Sequence, residues 1–334
     1  MAVMFGADAL EGVIGMRDAI DLVEWMARHE AAGRTFVSPR LTTRFEGGWM
    51  RMMFAADYES GYAATKAFHM IEGVGVRYIV SLYRLADGEL LAMLDGRLIT
   101  DLRTGAASGV AARHVYIGEP VTVALIGSGH QARTQLESLA SVYSVQSAVV
   151  FSPTREHREK FAHDMTVRLE LPVAAAESAE AAVRNANVVV TATSSVSGEP
   201  VVRGEWLDRC RLLCAVGSTR PQSVEIDTRG FGRAALVLVD SEHAAEEAGD
   251  LQNAIKAGAA PGSKRQSLAQ LAAGEVSVPM QDMVLFKSVG TALQDLALSI
   301  QYFEMLGELP HYSRVAELGS LKQPASVIPS PRRS

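Results

Sequence analysis

The sequence has few of the features that mark secreted and membrane proteins. It contains only two cysteines, Cys210 and Cys214, and a chain so poor in cysteine favours two reduced core thiols over a redox pair. No apolar run reaches the roughly 18 residues that a membrane-spanning helix needs. The N-terminal stretch lacks a basic segment and meets Asp8 and Glu11 early, unlike a signal peptide. We therefore expect a cytoplasmic protein.

Several kinds of site are also missing. The formal net charge of -6 argues against nucleic acid or an anionic membrane as the default partner. The eight histidines are scattered, without an H-x-x-x-H or C-x-x-C pattern, so no metal site is expected. The G-x-S-x-G pattern of serine hydrolases is absent as well. These absences leave a protein that acts on small molecules.

What the chain does contain is a dinucleotide-binding pattern in its middle. Residues 121–132, VTVALIGSGHQA, predict a buried strand, a glycine turn and a helix from Arg133 to Tyr143. Gly127 would make the tight turn, Gly129 would let a pyrophosphate approach the backbone, and Ala132 would let the helix pack near the strand. The free N–H groups of the helix start would bind the pyrophosphate.

Strand and helix patterns alternate after this turn, which predicts a Rossmann-type, doubly wound parallel sheet. Strands are expected at residues 147–151, 187–193, 211–216 and 235–239, and their carboxyl ends should share one crevice. The expected cofactor-binding residues are Gly127, Ser128, Gly129, His130, Gln131, Ser152, Thr154, Arg155, Thr193, Ser194, Val216 and Gly217.

The residues that follow the strand expected at 147–151 bear on the choice between NAD and NADP. An acidic residue about twenty positions past the glycine turn would bind the ribose 2′-hydroxyl of NAD, but the sequence there reads Ser152-Pro153-Thr154-Arg155. Hydroxyls and an arginine suit a 2′-phosphate, because Arg pairs bidentately with phosphate. NADP(H) is therefore favoured over NAD(H), although Arg155 is also compatible with a surface position on the next helix.

The first part of the chain has a different pattern of apolar residues. Short strand-like runs within residues 41–96 leave no room for crossover helices, so we expect an antiparallel sheet in an α+β domain. Lys66 lies inside one apolar run, where a solvated edge lysine is the alternative to a functional one. Thr100 and Asp101 are expected to cap a helix that runs from Arg103 to about residue 115. Arg103 in a first turn would oppose the helix dipole, which a bound anion would compensate.

These patterns divide the chain. Residues 1–117 are expected to form a first domain that carries the substrate-binding residues, and residues 118–301 the dinucleotide-binding domain. Residues 323–334 are expected to be a disordered tail. Arg40, Lys66 and Arg103 on the first domain would then face a nicotinamide. Such a trio would hold and orient a small carboxylate substrate.

The chain resembles the ornithine cyclodeaminase/mu-crystallin family over roughly residues 35–307. The resemblance is carried by Pro39-Arg40, Lys66, LLAMLDGRLITDLRTGAAS (90–108), LIGSGHQA (125–132), NVVVTATSSVSGEPVV (187–202), AVGSTRPQSVEID (215–227) and LFKSVGTALQDLA (285–297). It implies a homodimer in which residues 1–117 form a substrate-binding and dimerisation domain, completed by about 302–322. It also implies a substrate carboxylate held by Arg40, Lys66 and Arg103, and Thr104 near the cofactor. His69 is added as a substrate-pocket residue.

One departure from the family pattern bears on the reaction. Cyclodeaminases and alanine dehydrogenases of the family carry an aspartate where this chain has Thr219, and a threonine is not a general base near neutral pH. The resemblance therefore implies a ketimine-type reductase, in which Lys66, Arg103 and Thr219 serve the reduction of a 2-imino acid such as Δ1-pyrroline-2-carboxylate. The alternatives are an ornithine cyclodeaminase, an alanine-type dehydrogenase and a non-enzymatic binding role.

Overall fold

The computed structural model describes residues 2–118, 120–195, 197–217, 219–305 and 312–315. Its strands are β1 (Ala2–Phe5), β2 (Thr35–Val37), β3 (Leu41–Phe45), β4 (Gly48–Asp57), β5 (Tyr62–Ile71), β6 (Gly75–Arg84), β7 (Leu90–Asp95), β8 (Val121–Ile126), β9 (Val145–Phe151), β10 (Val173–Ala175), β11 (Val188–Thr191), β12 (Leu212–Ala215), β13 (Leu236–Val239), β14 (Arg265–Ser267), β15 (Val284–Lys287) and β16 (Ser313–Val315). Its helices are α1 (Ala7–Leu10), α2 (Met16–Ala31), α3 (Gly96–Arg113), α4 (His130–Val142), α5 (Arg155–Leu169), α6 (Ala179–Val183), α7 (Thr228–Arg233), α8 (Ala244–Glu247), α9 (Gly249–Lys256), α10 (Leu268–Ala272) and α11 (Ala292–Glu304), with short 3-10 helices at Gly204–Trp206 and Gly262–Lys264.

The first sheet has the strand order β16-β1-β7-β6-β5-β4-β2, with β3 also paired to β4. Every pairing is antiparallel except that between β1 and β7. Side chains alternate between the two faces of each strand. On β5 and β6 the inward positions Ala64, Phe68, Val80 and Leu82 are buried in the core under the covering helices. The predicted antiparallel sheet is confirmed.

The second sheet is entirely parallel, with the order β10-β9-β8-β11-β12-β15-β13-β14. Strands β11, β12 and β15 are buried at every position, as strands covered by helices on both faces are. The chain winds from β8 outward to β10 and then crosses back to β11. The switch point therefore lies beside β8, where such sheets bind their ligands, and the predicted fold class is confirmed.

Helices α3 and α11 join the two sheets. Helix α11 begins at Ala292, directly after the second sheet, and packs against α2, α3 and strands β4 to β6 of the first sheet. Helix α3 packs against both α2 and α4. Residues 284–304 thus supply a strand to the second sheet and a helix that packs on the first. Most of the predicted completing segment, 302–322, and the whole predicted tail, 323–334, lie outside the described residues.

The start of α3 corrects the sequence analysis. The helix begins at Gly96 and not at Arg103, and its cap is Asp95, whose side chain accepts a hydrogen bond from the backbone N–H of Arg97. The predicted caps, Thr100 and Asp101, lie inside the helix. Arg103 therefore occupies the helix interior, and the argument from the helix dipole is wrong.

Both cysteines are free and buried, which confirms their assignment to the core. Burial raises the pKa of the Cys214 thiol to about 12, so that it is protonated at neutral pH. Among the described residues, none of the helices combines the length and hydropathy needed to span a bilayer.

Candidate active site

A cavity of about 1360 Å³ separates the carboxyl ends of the parallel strands from the inner face of the first sheet. It brings together most of the residues that the sequence analysis selected. Those that line it are Arg40, Lys66, Arg103, Thr104, Gly127, Ser128, Gly129, His130, Gln131, Ser152, Thr193, Ser194, Val216, Gly217 and Thr219. Residues far apart in the chain thus share one cleft at the predicted switch point.

The glycine turn has the geometry that a dinucleotide requires. Gly127 has φ +116°, and a Cβ there would overlap the backbone carbonyl of Ala192, so only glycine fits. Gly129 caps α4 without a side-chain hydrogen bond, and a Cβ at Gly129 would meet nothing within 4 Å. The first N–H groups of α4 are therefore accessible from the cleft and suit a pyrophosphate.

The loops that follow β11 and β12 are tied together beside this turn. One oxygen of Glu225 accepts hydrogen bonds from the backbone N–H and the hydroxyl of Thr193, both at 2.8 Å. The other accepts from the N–H of Gly217 at 2.8 Å. At the next strand end, the Ser128 hydroxyl donates to Ser152 Oγ at 2.9 Å. These contacts fix a polar floor of the cleft across four strand ends.

Helix α3 connects the glycine turn with the opposite wall. Gln131 Nε2 donates to Asp101 Oδ1 at 2.8 Å, and Gln135 Nε2 donates to the Thr104 carbonyl at 2.9 Å. Gly105 lets α3 and α4 approach closely, since a Cβ there would lie 2.6 Å from a backbone oxygen of α4. Thr104 and the turn are consequently held at a fixed separation.

Lys66 is the most deeply buried cation of the cleft, with 2% exposure. Its Nζ donates to Thr100 Oγ1 at 2.6 Å and to Asp295 Oδ1 at 2.7 Å. Burial lowers the pKa of Lys66 to about 8, even though Asp295 favours the charged form. The ammonium is therefore charged at neutral pH and close to its titration point, and the interpretation of Lys66 as a solvated edge residue is wrong.

Arg103 shares the same carboxylate. Its Nε donates to Asp295 Oδ1 at 3.3 Å, and its Nη1 donates to Gln294 Oε1 at 3.2 Å. Gly290 has φ +79°, and a Cβ there would overlap the guanidinium of Arg103. The absence of a side chain at Gly290 therefore gives Arg103 its place in the cleft.

Arg40 is held by the loop that follows β15. Its Nη2 donates to the carbonyls of Val289 and Gly290 at 2.8 and 3.0 Å, and its Nη1 pairs with Glu247 at 2.8 Å. The buried carboxylate of Asp240 orders this loop by accepting from the N–H groups of Val289 and Gly290, both at 2.9 Å. The three predicted cations thus converge on one end of the cleft.

A sequence profile of the ornithine cyclodeaminase/mu-crystallin family matches residues 2–308. The chain belongs to this family. A Δ1-pyrroline-2-carboxylate reductase from Bacillus cereus is 28% identical over 313 residues, which are 90% of this chain and 95% of that protein.

Solved structures agree with this assignment. A Thermococcus litoralis Δ1-pyrroline-2-carboxylate reductase in complex with NADH and L-proline is 28% identical, with a TM-score of 0.88 over 94% of this chain and 100% of that one. An archaeal alanine dehydrogenase dimer with bound NAD is 26% identical, with a TM-score of 0.85 over 94% and 99% of the two chains.

Three predicted site residues lie outside this family member's cleft. His69 is three positions from Lys66 on β5, and an odd spacing places it on the opposite face of the sheet. Thr154 and Arg155 are at the start of α5, where the Arg155 side chain is 74% exposed and donates to Glu159 at 2.6 Å.

The fold also brings into the site residues that were not predicted from the sequence. Asp295 was inside a segment quoted for the family resemblance but had no role assigned to it, and Glu247 lay in an acidic stretch with no pattern. Arg51 also lines the cavity. It is two positions from Met53 on β4, so the two side chains lie on the same face of the strand. The spacing of two residues between Arg51 and Met53 was the sequence signal that could have identified Arg51. Met53 pairs with Lys66 across the sheet, so a residue two positions away lies on the same face as Lys66.

Proposed function

We propose that the protein reduces the C=N bond of a small 2-imino acid with a nicotinamide cofactor. One observation carries the proposal: three cations converge around Asp295 and Glu247, across a single cavity from the glycine turn. The cations hold the substrate carboxylate, which orients the imine carbon toward the nicotinamide end of the cofactor. The bound cofactor supplies the hydride.

The acid–base groups of the cleft fit a reduction. The hydride adds to the imine carbon while the C=N electrons move to nitrogen, and an iminium needs no further proton. Thr219 lines the cleft where a carboxylate would act as a base in deamination or amine oxidation, and a hydroxyl does not serve as one. Δ1-Pyrroline-2-carboxylate, the substrate in the name of the Bacillus cereus relative, is a representative candidate.

Absorbance at 340 nm tests this function directly. Net oxidation of NADPH or NADH is expected with Δ1-pyrroline-2-carboxylate or with imines formed from 2-oxo acids and ammonium. Lys66→Met should lower kcat/KM at least about 100-fold because the substrate carboxylate loses a buried cation, whereas the exposed-lysine control Lys160→Met should not. Ammonia release from ornithine without net absorbance change would instead support a cyclodeaminase.

We also propose that NADPH is preferred to NADH. The cleft wall beyond β9 is made of Ser152, Pro153 and His157, without a carboxylate that would favour a free ribose 2′-hydroxyl. Arg155 is on the first turn of α5, two residues from His157, and forms a salt bridge with the exposed Glu159. Replacing Arg155 with alanine should weaken NADPH more than NADH in fluorescence titrations. Equal effects on both cofactors would remove Arg155 from 2′-phosphate recognition.

The outer face of the first sheet is proposed as a homodimer interface. Leu41, Met52 and Ile79 lie in cross-strand register on that face and are 64%, 44% and 47% exposed. Aligned apolar side chains at this exposure mark an interaction surface. Met52→Glu should shift the sedimentation coefficient from dimer to monomer, and Met280→Glu, at an exposed position outside the sheet, should not. A monomeric wild-type protein would refute the assignment.

A further inference from the structure

Arg51 is a buried cation of the cleft that has no acidic partner in the described part of the chain. Its side chain is 9% exposed and lines the cavity, and its guanidinium lies 4.6 Å from the centre of the Trp49 ring. The structure gives its Nε no hydrogen-bond partner among the described residues. A buried guanidinium without a counter-ion is costly, so its presence in a ligand cavity points to an anion.

The register of the sheet separates Arg51 from the end of the cleft that holds Lys66. Met53 pairs with Lys66 and Arg51 pairs with Phe68, so Arg51 shares the face of Lys66 but lies one strand repeat, about 7 Å, further along. The carboxylate next to Lys66 is Asp295. The charges that act on Arg51 are chiefly those of Arg40 and Glu247. Arg51 therefore belongs to a second polar subsite.

Three of the four cations Arg40, Arg51, Lys66 and Arg103 form an ion pair with a described carboxylate. Glu247 pairs with Arg40, and Asp295 is shared by Lys66 and Arg103. Arg51 has neither. In the described part of the chain, Arg51 is thus the one of these four cations without an ion-pair partner. Burial next to other arginines lowers the pKa of Arg51 to about 10, so it remains charged at neutral pH.

In the proposed function the α-carboxylate of a 2-imino acid is held by Arg40, Lys66 and Arg103, which leaves Arg51 available for a second anion. We propose that Arg51 binds a second carboxylate, carried on the substrate side chain, so that the enzyme prefers 2-imino dicarboxylic acids of four or five carbons. This inference rests on the proposed reductase function and narrows its substrate class. Arginine suits the role because its planar fork binds a carboxylate bidentately. Apolar contacts from Met53 and Phe68, which also line the cavity, would flank the methylene groups between the two carboxylates.

The test compares substrates that differ in the second carboxylate alone. Imines are formed in ammonium buffer from oxaloacetate or 2-oxobutanoate, and from 2-oxoglutarate or 2-oxopentanoate, and kcat/KM is measured at 340 nm. In the wild-type protein the dicarboxylic member of each pair should be preferred at least about 10-fold. Arg51→Met should lower that preference about 10- to 100-fold, the range for one charge-assisted hydrogen-bonded contact. Arg51→Lys should give an intermediate value.

Arg77→Met serves as the matched control, because Arg77 is an exposed arginine on strand β6 of the same sheet and does not line the cavity. It should keep the wild-type preference. A wild-type protein without preference for the dicarboxylic substrates, or an Arg51→Met variant that retains it, would overturn the proposal and leave the reductase function intact.

Binding to the oxidised-cofactor complex separates the two hypotheses if no imine is reduced. Calorimetry with L-glutamate and L-norvaline measures the second carboxylate without turnover. Tighter binding of L-glutamate that is lost in Arg51→Met would support the anion subsite while the reductase function failed. Equal binding of the two amino acids would refute the subsite.

Discussion

Replacing Asp295 with asparagine should shift the pH dependence of the enzyme through Lys66. Asp295 is fully buried and lies 2.7 Å from the Lys66 ammonium, so it offsets part of the burial that lowers the pKa of Lys66 to about 8. Loss of an opposite charge at this distance lowers a lysine pKa by about 1–3 units. Asparagine has the same shape and retains one acceptor oxygen for the neighbouring cations.

The direction of the effect follows from which form of Lys66 binds the carboxylate. Only the protonated form is attractive, so kcat/KM falls as pH rises through the pKa of Lys66. At pH 7.5 about three quarters of Lys66 is charged with a pKa of about 8, but about 3% with a pKa near 6, a loss of about 25-fold. Below about pH 5.5 Lys66 is charged in both proteins, so kcat/KM of the variant should approach that of the wild type.

The assay is the ratio of kcat/KM for the Asp295→Asn variant and the wild type between pH 5.5 and 9, because titration of the substrate cancels in that ratio. The ratio should fall between about pH 6 and 8 and then become constant. Above pH 8 the charged fraction of Lys66 falls by the same factor in both proteins with each further increase in pH. Asp87→Asn, which removes a surface carboxylate paired with Arg84, should give a flat ratio near one. A flat, low ratio for Asp295→Asn would refute the electrostatic link between Asp295 and Lys66.

Four further substitutions test the framework of the cleft. Gly290→Ala should raise KM for the substrate at least about 10-fold, because its Cβ would displace the Arg103 guanidinium. Gly129→Ala should weaken cofactor binding, measured by fluorescence titration, while the melting temperature stays near that of the wild type, since its Cβ enters open cleft; Gly127→Ala should lower both, because of its positive φ and backbone overlap. Asp240→Asn should raise KM more than it changes kcat, because it loosens the loop that orders two arginines.

The controls for these variants are also in the chain. Gly232 has an ordinary φ and open space at its Cβ, so Gly232→Ala should leave KM unchanged. An unchanged KM in the Gly290 variant would mean that Arg103 does not need its present position. Equal loss of thermal stability in the two fingerprint variants would contradict an open Gly129. A fall in kcat at constant KM for the Asp240 variant would exclude a role confined to substrate binding.

The cofactor half of the site could be predicted from the sequence because its signals are local. A buried strand, two glycines and a helix start are consecutive in residues 121–132, and each demands a particular backbone. The strand ends at Thr193 and Val216 followed from the same rule, since parallel strands present their carboxyl ends at one edge. Whether Arg155 contacts the cofactor could not be predicted from the sequence, because the direction of its side chain depends on how α5 packs against the sheet.

The substrate half depended on contacts between distant parts of the chain. Lys66 meets Asp295 across 229 positions, and no local pattern connects a strand lysine with a helix aspartate. Sheet register decided that Arg51, and not His69, shares the face of Lys66. A single-residue difference in spacing reverses the face on which a strand residue lies.

By itself the sequence determined the two kinds of sheet, the position of the glycine turn and the family, because hydrophobic period, turn residues and motif spacing are properties of neighbouring residues. Only the tertiary structure decided which cations converge and which remain unpaired. The pairing of charges in a buried cleft is a property of side chains that the fold brings within a few ångströms of each other from separate strands and helices. That proximity cannot be read from local patterns, because the residues are far apart in the chain.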